Sequence, residues 1–438
     1  MVSGDLKTGP SAWVAAAGVV ARWLDRRERV DGLMDGLPVS LSGTERSRCQ
    51  NLVFGVMRHA GRLEAALGRI VAHPPRFATR AVLYLAGFEL IEASAAPGDP
   101  GRAARIVHHA VEQAKARTSP AEARLVNAVA RKLAASMAAS APPPAGATVE
   151  ALAEFYSHPA WLVRRWLARF GPEQVRALLE WNQQPAPVYA RLRGRVPDEA
   201  PTFLKSTPWP YFYEIASGHW PEVEALLRAG RIYIQDPATR LPVELLGPKP
   251  GETILDACAA PGGKSLLIAD TMAEGRLVAL DLPGDRIERL TENLAHVAGV
   301  TVAVAPGDVR RGAGRWLDRR GLPSSFPGVL IDVPCTNTGV MRHRVDVKWR
   351  LQEGDFRQHA RQQLALLGAA ARLVAPGGRL VYSTCSIDRE ENRDVVDAFL
   401  GGEGPGFRLE AQLTSLPWES GHDGVGAYLL RRQRPAAG

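Results

Sequence analysis

The feature that most constrains this fold is an alternation of short β-rich runs and helical stretches that begins near residue 251. Helical patterns at residues 263–272, 285–298 and 355–373 separate the β-rich runs, which cover residues 253–257, 276–281, 301–304, 328–333 and 379–383. Such alternation is typical of a doubly wound, mostly parallel sheet with helices on both faces. Ligands of these sheets bind at the carboxyl ends of the strands. The residues that follow each strand are therefore the candidates for chemistry.

The rest of the chain is predicted to form two further parts. Helical spacing of apolar residues predicts a bundle within residues 1–135, with helices at 12–25, 44–58, 62–71, 76–92, 101–116 and 120–135. Residues 136–149 are uncharged, contain three prolines and have the composition of a linker. Residues 150–235 are predicted to form a small α/β subdomain, with helices at 161–170, 172–181 and 220–229 and a strand at 187–193. Residues 236–438 are predicted to form the sheet domain.

Positive charge is concentrated in the first third of the chain. Residues 1–135 hold 19 Lys and Arg against 12 Asp and Glu, whereas the remaining residues hold 35 against 34. A basic module beside a nearly neutral one favours a nucleic-acid partner. An equally good interpretation is that arginine is the ordinary surface charge of this chain.

The four cysteines include no CxxC pair, which argues against a zinc site and against a disulfide framework. No apolar run reaches the roughly 18 residues that span a bilayer, and the N-terminus has no secretory pattern. We therefore expect a cytoplasmic protein with no metal and no membrane association.

The first strand of the sheet domain ends in a glycine turn. Gly262 and Gly263 let the backbone turn tightly and approach a ligand, and Lys264 follows them. A phosphate-binding P-loop would need glycine at the position of Cys258, so we discount ATP and GTP. The second strand ends in Asp281, where an acid can bind both hydroxyls of a ribose. This pattern fits both NAD and S-adenosylmethionine.

Cysteines follow two strands that are expected to be neighbours. Cys335 comes after Asp332-Val333-Pro334, and Cys385 lies in Ser383-Thr384-Cys385-Ser386. Either cysteine alone is more simply explained as a small buried residue. Together with a bound methyl donor, two thiols predict methylation of a pyrimidine at C5, because a thiolate that adds at C6 makes C5 nucleophilic.

These motifs resemble those of the RNA cytosine-C5 methyltransferases, and nearly the whole chain resembles the RsmB (Sun/Fmu) family of 16S rRNA methyltransferases. The resemblance rests on residues 256–264, 332–335 and 384–386, on residues 155–162 and 235–238, and on residues 126–129, which resemble the last helices of NusB. It implies a multidomain chain with an all-α NusB-like bundle, a small α/β subdomain and a Rossmann-like methyltransferase domain. It also implies S-adenosylmethionine as donor and 16S rRNA as substrate.

The resemblance further implies roles for individual residues. Cys385 would be the nucleophile and Cys335 would assist proton removal and product release. Asp332 would face the base, and Lys264 would contact the base or the substrate backbone. The donor would be bound by Cys258, Ala259, Ala260, Pro261, Gly262, Gly263, Lys264, Asp281, Arg286, Asp308 and Asp332, and the RNA by Arg342, Arg344 and Lys348. An ordinary surface role is as good an explanation of Arg286.

Two alternative functions remain open at this point. One is a cytosine-C5 methyltransferase that acts on tRNA or on another rRNA site. The other is a non-catalytic, NusB-like RNA-binding factor whose sheet domain has lost its activity. The intact glycine turn and the two cysteines argue against the second alternative. We expect a monomer.

Overall fold

The computed structural model describes residues 11–96, 98–194, 201–402, 404 and 406–434, and the chain divides into two compact units. The first extends to Pro185 and includes Met341–Arg350; the second comprises Ala186–Val340 and the chain from Leu351 onward. These units differ from the predicted domains, because residues 150–185 belong to the helical unit. Within the described ranges, no helix is both long and apolar enough to cross a membrane.

The first unit is helical, and polar caps fix where several of its helices begin. Ser42 and Glu45 form a capping box at the start of the third helix, and Ser119 and Glu122 form another at the start of the sixth. In chain order the helices are α1 (Ala12–Arg26), α2 (Val30–Asp35), α3 (Gly43–Ile70), α4 (Phe77–Ala95), α5 (Arg102–Arg117), α6 (Pro120–Ala138), α7 (Val149–Phe155), α8 (Ala160–Gln183) and the short α14 (Val347–Arg350).

The structure corrects one predicted break in this unit. The helices predicted at 44–58 and 62–71 form the single helix α3. Gly61 lies at the predicted break, and a Cβ there would lie 3.0 Å from the Trp349 ring and 3.1 Å from Cα of Ser157. The glycine therefore permits close packing and does not end the helix. The predicted break near residue 171 does occur, since Gly171 leaves the helical conformation (φ 79°, ψ 170°) just before Pro172.

The second unit contains a small antiparallel sheet and a large one. The small sheet has the order β2-β3-β1-β4, from β1 (Tyr189–Leu192), β2 (Leu204–Ser206), β3 (Phe212–Ile215) and β4 (Ile232–Ile234). Arg191 in β1 and Arg193 directly after it both bind Asp270, on the helix that follows the first strand of the large sheet, at 2.7 and 3.0 Å. Of these strands only β1 was predicted, within the run at residues 187–193.

The large sheet confirms the predicted doubly wound, mostly parallel fold. Its order is β10-β11-β9-β8-β5-β6-β7. The strands are β5 (Thr253–Ala257), β6 (Gly275–Asp281), β7 (Val300–Pro306), β8 (Phe326–Asp332), β9 (Val374–Thr384), β10 (Phe407–Ser415) and β11 (Val425–Arg432). The helices of this unit are α9 (Trp220–Arg228), α10 (Arg240–Leu246), α11 (Gly263–Met272), α12 (Asp285–Leu294), α13 (Ala313–Asp318), α15 (Glu353–Ala371), α16 (Arg393–Gly401) and α17 (Pro417–Ser420).

The last two strands of this sheet, β10 and β11, were not predicted, and β11 runs antiparallel to the others. β11 pairs antiparallel with both β9 and β10. The other five strands pair parallel, so their carboxyl ends lie along one edge. Asp332 pairs with Ser383 in the register of β8 and β9, which places the residues after these two strands side by side.

Candidate active site

The two predicted cysteines lie together at the ends of β8 and β9. The Sγ atoms of Cys335 and Cys385 are 3.1 Å apart, within hydrogen-bond distance. Cys335 is buried, with 7% of its surface exposed, whereas Cys385 is partly exposed. The hydrogen bond with Cys385 and burial both raise the pKa of the Cys335 thiol well above its usual value. Cys335 therefore holds its proton.

Lys264 and Asp332 form an ion pair beside these thiols. Nζ of Lys264 donates to Asp332 at 2.6 Å, and the Ser383 hydroxyl donates to the other carboxylate oxygen at 2.6 Å. Burial acts to lower the pKa of Lys264, but the contact with Asp332 and the other negative charges around the amine together outweigh it, and the pKa is raised. A Cys385 thiolate raises it further. The lysine is therefore charged and close enough to interact with Cys385.

A buried carboxylate fixes the loop that carries Cys335. Glu391 accepts from the Thr336 N–H at 2.9 Å, from the Gln363 amide at 3.0 Å, and from the Thr336 hydroxyl. Gln363 also donates to the Pro334 carbonyl at 2.9 Å. Burial raises the pKa of Glu391. Sequence reasoning missed this residue, whose only signal is an acid six positions after Cys385.

The predicted donor loop closes against Asp281. The carboxylate of Asp281 accepts from the N–H groups of Ala260 at 2.8 Å and Leu282 at 2.7 Å. Arg286 lies 3.6 Å from this carboxylate and donates to the Ala260 carbonyl at 2.7 Å. Gly262 has φ 111°, a conformation that favours glycine. The loop is thus held in one shape by the acid that follows the neighbouring strand.

A cavity with about 260 Å³ of free volume adjoins this loop. Asp256 lies in its wall, is fully buried and accepts from the Ser265 hydroxyl, yet its Oδ1 has no hydrogen-bond partner among the described residues. Burial raises the pKa of Asp256 to about 7. The wall includes residues of β4 and the segment after it, of the donor loop and of the ends of β5 and β8: Tyr233, Gln235, Asp236, Asp256, Cys258, Ala259, Ala260, Pro261, Gly263, Lys264 and Asp332.

Asp308 follows β7 at the same edge of the sheet. Both of its carboxylate oxygens accept from the Arg310 guanidinium, at 3.0 and 2.8 Å, and this contact lowers the pKa of Asp308. An adenine amino group at Asp308 would have to share this carboxylate with Arg310 or displace the arginine.

The arginines that were predicted to contact RNA have partners within the helical unit. The guanidinium of Arg342 lies 4.2 Å from the centre of the Trp181 ring, and Arg344 binds Asp31 at 3.0 Å. Both arginines retain surface exposure. Their contact with RNA stays a prediction.

The structure contradicts the predicted RNA contact of Lys348. Only 2% of this residue is exposed, and its Nζ donates to the Arg58 carbonyl at 3.0 Å. Burial, and then the charge of Arg58, hold the pKa of Lys348 well below its usual value. A buried amine of this kind supports the packing of α14 on α3 and does not reach RNA.

Glycines after α17 pack against the loops of both cysteines. A Cβ at Gly424 would lie 3.0 Å from Cα of Gly339, and one at Gly426 would overlap Oδ1 of Asn392. The Gly339 N–H donates to the Cys385 carbonyl at 2.9 Å. The glycines therefore allow close contact between this segment and the loops that carry the two cysteines.

The site combines two thiols of different character with one lysine and several carboxylates. A partly exposed thiol beside a positive charge suits nucleophilic addition to an electron-poor ring. The buried thiol, which holds its proton, suits proton transfer at the same place. The cavity offers an unpaired carboxylate oxygen and the start of α11, which suit a polar ligand.

The chain is similar to two families of known proteins. Residues 243–422 match the family described as 16S rRNA methyltransferase RsmB/F, and residues 15–135 match the NusB family. The ribosomal RNA small subunit methyltransferase B of Sodalis glossinidius is 32% identical over 406 residues, and the match covers 90% of each chain.

Solved structures have the same fold. The crystal structure of PH0851 aligns with a TM-score of 0.73 over 98% of this chain and 100% of that chain, at 23% identity. NSun6 from Pyrococcus horikoshii, solved with SFG, aligns with a TM-score of 0.50 over 63% of this chain and 99% of that chain, at 19% identity. At these identities the similarity shows the fold alone.

Proposed function

The chain belongs to the 16S rRNA methyltransferase RsmB/F family, and from this membership we propose that it methylates C5 of a cytosine in 16S rRNA through a covalent adduct of Cys385. The methyl donor of the family is S-adenosylmethionine. The observation that carries the proposal is the pair of thiols at adjacent strand ends, 3.1 Å apart, beside the charged pair of Lys264 and Asp332.

Cys385 is the better nucleophile of the two. A thiolate, and not a thiol, adds to the ring, and Cys385 is partly exposed and interacts with the Lys264 charge. Cys335 is buried, and its pKa is raised, so it stays protonated. The Cys385 thiolate would add at C6 of cytosine, and the electron pair displaced from the C5–C6 bond would make C5 nucleophilic.

Lys264 and Asp332 would orient the base and balance its charge. Addition at C6 places negative charge on C5, which is shared with the ring nitrogen N3. Asp332 is fixed by both Lys264 and Ser383, so its position costs no reorganisation when the adduct forms. Asp332 would accept from the amino group or a protonated N3, and Lys264 would donate to the base.

The donor would lie along Cys258–Lys264, with Asp281 at its ribose and Asp308 near its adenine. Bound S-adenosylmethionine supplies an electrophilic methyl group. The residues fit such a ligand, because Asp256 has an unpaired, buried oxygen in the cavity wall and Asp281 fixes the loop. Asp332 and Lys264 line the same cavity, so they would face both the donor and the base.

Cys335 would complete the reaction by moving a proton. After C5 has gained its methyl group, the C5–H bond and the bond between C6 and Sγ must both break. Cys335 would give its proton to the departing Cys385 sulfur and take the proton from C5, so both cysteines end as thiols. The distance of 3.1 Å between the sulfurs supports this exchange.

The helical unit would dock the RNA. Its family match is to NusB, and α5 and α6 enclose a groove of about 770 Å³ whose wall includes Lys115, Arg124 and Arg131. Arg124, Arg131 and the adjacent Lys132 are exposed. Such a surface binds phosphates without reading sequence. The target base must still leave its stack to reach Cys385.

The proposal is tested by single substitutions of the two cysteines. Enzyme, 16S rRNA and S-adenosylmethionine are mixed, denatured and separated on a gel that retains covalent complexes. Cys335→Ala should accumulate an adduct and lose turnover, because attack proceeds and release fails. Cys385→Ala should form no adduct and no product.

Cys49→Ala is the control, since Cys49 is buried in α3 of the helical unit and performs no step. It should turn over without accumulating an adduct. An adduct in Cys385→Ala and none in Cys335→Ala would reverse the roles of the two cysteines. No adduct in any variant would contradict the covalent route.

A further inference from the structure

We propose that Asn337 is a positioning residue that keeps Cys385 a neutral thiol until the substrate displaces their contact. The inference deepens the proposed function, since it rests on Cys385 as the nucleophile. It concerns the state of the thiol before RNA binds, which is measurable without any methyl transfer.

The orientation of the Asn337 amide is fixed by its own hydrogen bonds. Nδ2 of Asn337 donates to the Cys335 carbonyl at 2.8 Å. A carbonyl oxygen only accepts, so the nitrogen of the amide must lie on that side. Oδ1 is therefore the atom that faces Cys385, and it lies 3.2 Å from Sγ. The residue has φ 61°, which asparagine tolerates better than most residues.

This orientation sets the direction of a short chain of hydrogen bonds. The Cys385 S–H donates to Oδ1 of Asn337, and the Cys335 S–H donates to the Cys385 sulfur. An amide oxygen accepts a hydrogen bond from a thiol but repels a thiolate. Asn337 thus favours the protonated form of the nucleophile, although the reaction needs the ionised form.

The other charged groups around Cys385 also act on the equilibrium between its thiol and thiolate forms. Lys264 projects from α11 and favours the thiolate, while Asp332 at the end of β8 neutralises part of that charge. Glu391 faces Cys335 and disfavours ionisation of that thiol. With Asn337 in place the thiol persists, and a base that enters beside Cys385 and removes the contact leaves Lys264 to stabilise the thiolate. The fold thereby restricts reactive thiolate to the complex with substrate.

The test measures the pH dependence of Cys385 alkylation by iodoacetamide in the full chain without RNA or donor, read by mass spectrometry of the peptide that contains Cys385. Asn337→Gly keeps the backbone conformation and removes the acceptor, so the midpoint of the profile should fall by roughly 0.5–1 pH unit, the scale of one hydrogen bond. Asn337→Asp places negative charge at the acceptor, so the midpoint should rise. Burial raises the pKa of Cys258, so in the same samples this thiol is the internal control and should stay unmodified across the profile in every variant.

Midpoints that shift in opposite directions in the two variants support the inference. If Asn337 had a purely structural role, the direction of the shift would not depend on the charge of the residue that replaces it. Equal midpoints in the wild type and Asn337→Gly, or shifts of the same sign in both variants, would overturn it. A different result would contradict the proposed function: a wild-type protein that forms no covalent adduct with RNA, whatever its alkylation profile.

Discussion

Replacing Asp256 by asparagine should flatten the pH dependence of stability in this protein. The carboxyl group is fully buried at the end of β5, and burial raises its pKa to about 7 from a usual value of 3.8. The folded state therefore binds this proton more tightly than the unfolded state does. The stability that results is complete below about pH 4 and is lost as the pH rises to about 7.

The magnitude follows from the two pKa values. Each unit of difference corresponds to about 1.4 kcal/mol, so the unfolding free energy falls by about 2 kcal/mol between pH 5 and pH 7 through this group alone. The side-chain amide oxygen of the Asp256→Asn variant would still accept from the Ser265 hydroxyl, which donates to the native carboxylate. The hydrogen bond is thereby preserved while the titration is removed.

The assay is urea unfolding of the full chain at pH 5, 6 and 7. From pH 5 to pH 7 the unfolding free energy of Asp256→Asn should rise by about 2 kcal/mol relative to that of the wild type. Asp318→Asn changes an exposed aspartate at the end of α13 and is the matched control, which should follow the wild type. If Asp256→Asn also follows the wild type at all three pH values, Asp256 is ionised in the fold and our account of the cavity is wrong.

Two further predictions concern the ligands. Asp281→Ala should weaken S-adenosylmethionine binding by about 1–3 kcal/mol, the scale of leaving buried polar groups unpaired; calorimetry that shows unchanged affinity would remove Asp281 from the donor site. Neutralising Arg124, Arg131 and Lys132 together should weaken RNA binding and flatten its dependence on salt by roughly 0.7–0.9 log units per lost contact for each decade of salt. Arg319→Ala in the other unit is the control. Equal slopes for the wild type and the triple variant would show that this face does not bind RNA.

Much of the site could be predicted because parallel strands bring distant residues to one edge. Cys335 and Cys385 are 50 positions apart in the sequence, yet each follows a β-rich run. Once these runs are neighbours in a parallel sheet, their ends must meet. The same reasoning predicts that Asp281, at the end of the neighbouring strand, lies beside the glycine turn, and its carboxylate accepts from the Ala260 N–H there.

Residues whose role depends on tertiary contacts could not be found in this way. Lys348 lies between Val347 and Trp349 and looks like a surface lysine, and its burial depends on Arg58, 290 positions earlier. Glu391 becomes important only because Thr336 folds onto it. No local pattern predicts either contact.

The bounds of the helical unit were also beyond local patterns. The uncharged segment at residues 136–149 has the composition of a linker and predicts a boundary after residue 135. In the structure α3 packs against α7 and α8, and Nε1 of Trp349 donates to the Met57 carbonyl at 2.7 Å. Deleting residues 1–135 would expose these surfaces, so surface substitutions are the sharper test of RNA docking.

The most direct test of the central claim is bisulfite sequencing of 16S rRNA from the source organism with the gene deleted. We expect one cytosine that resists conversion in the wild type to become convertible in the deletion strain, and to regain resistance when the wild-type gene is returned. The gene for Cys385→Ala should fail to restore it. Unchanged resistance at every cytosine of 16S rRNA after deletion would contradict methylation of C5 at this site.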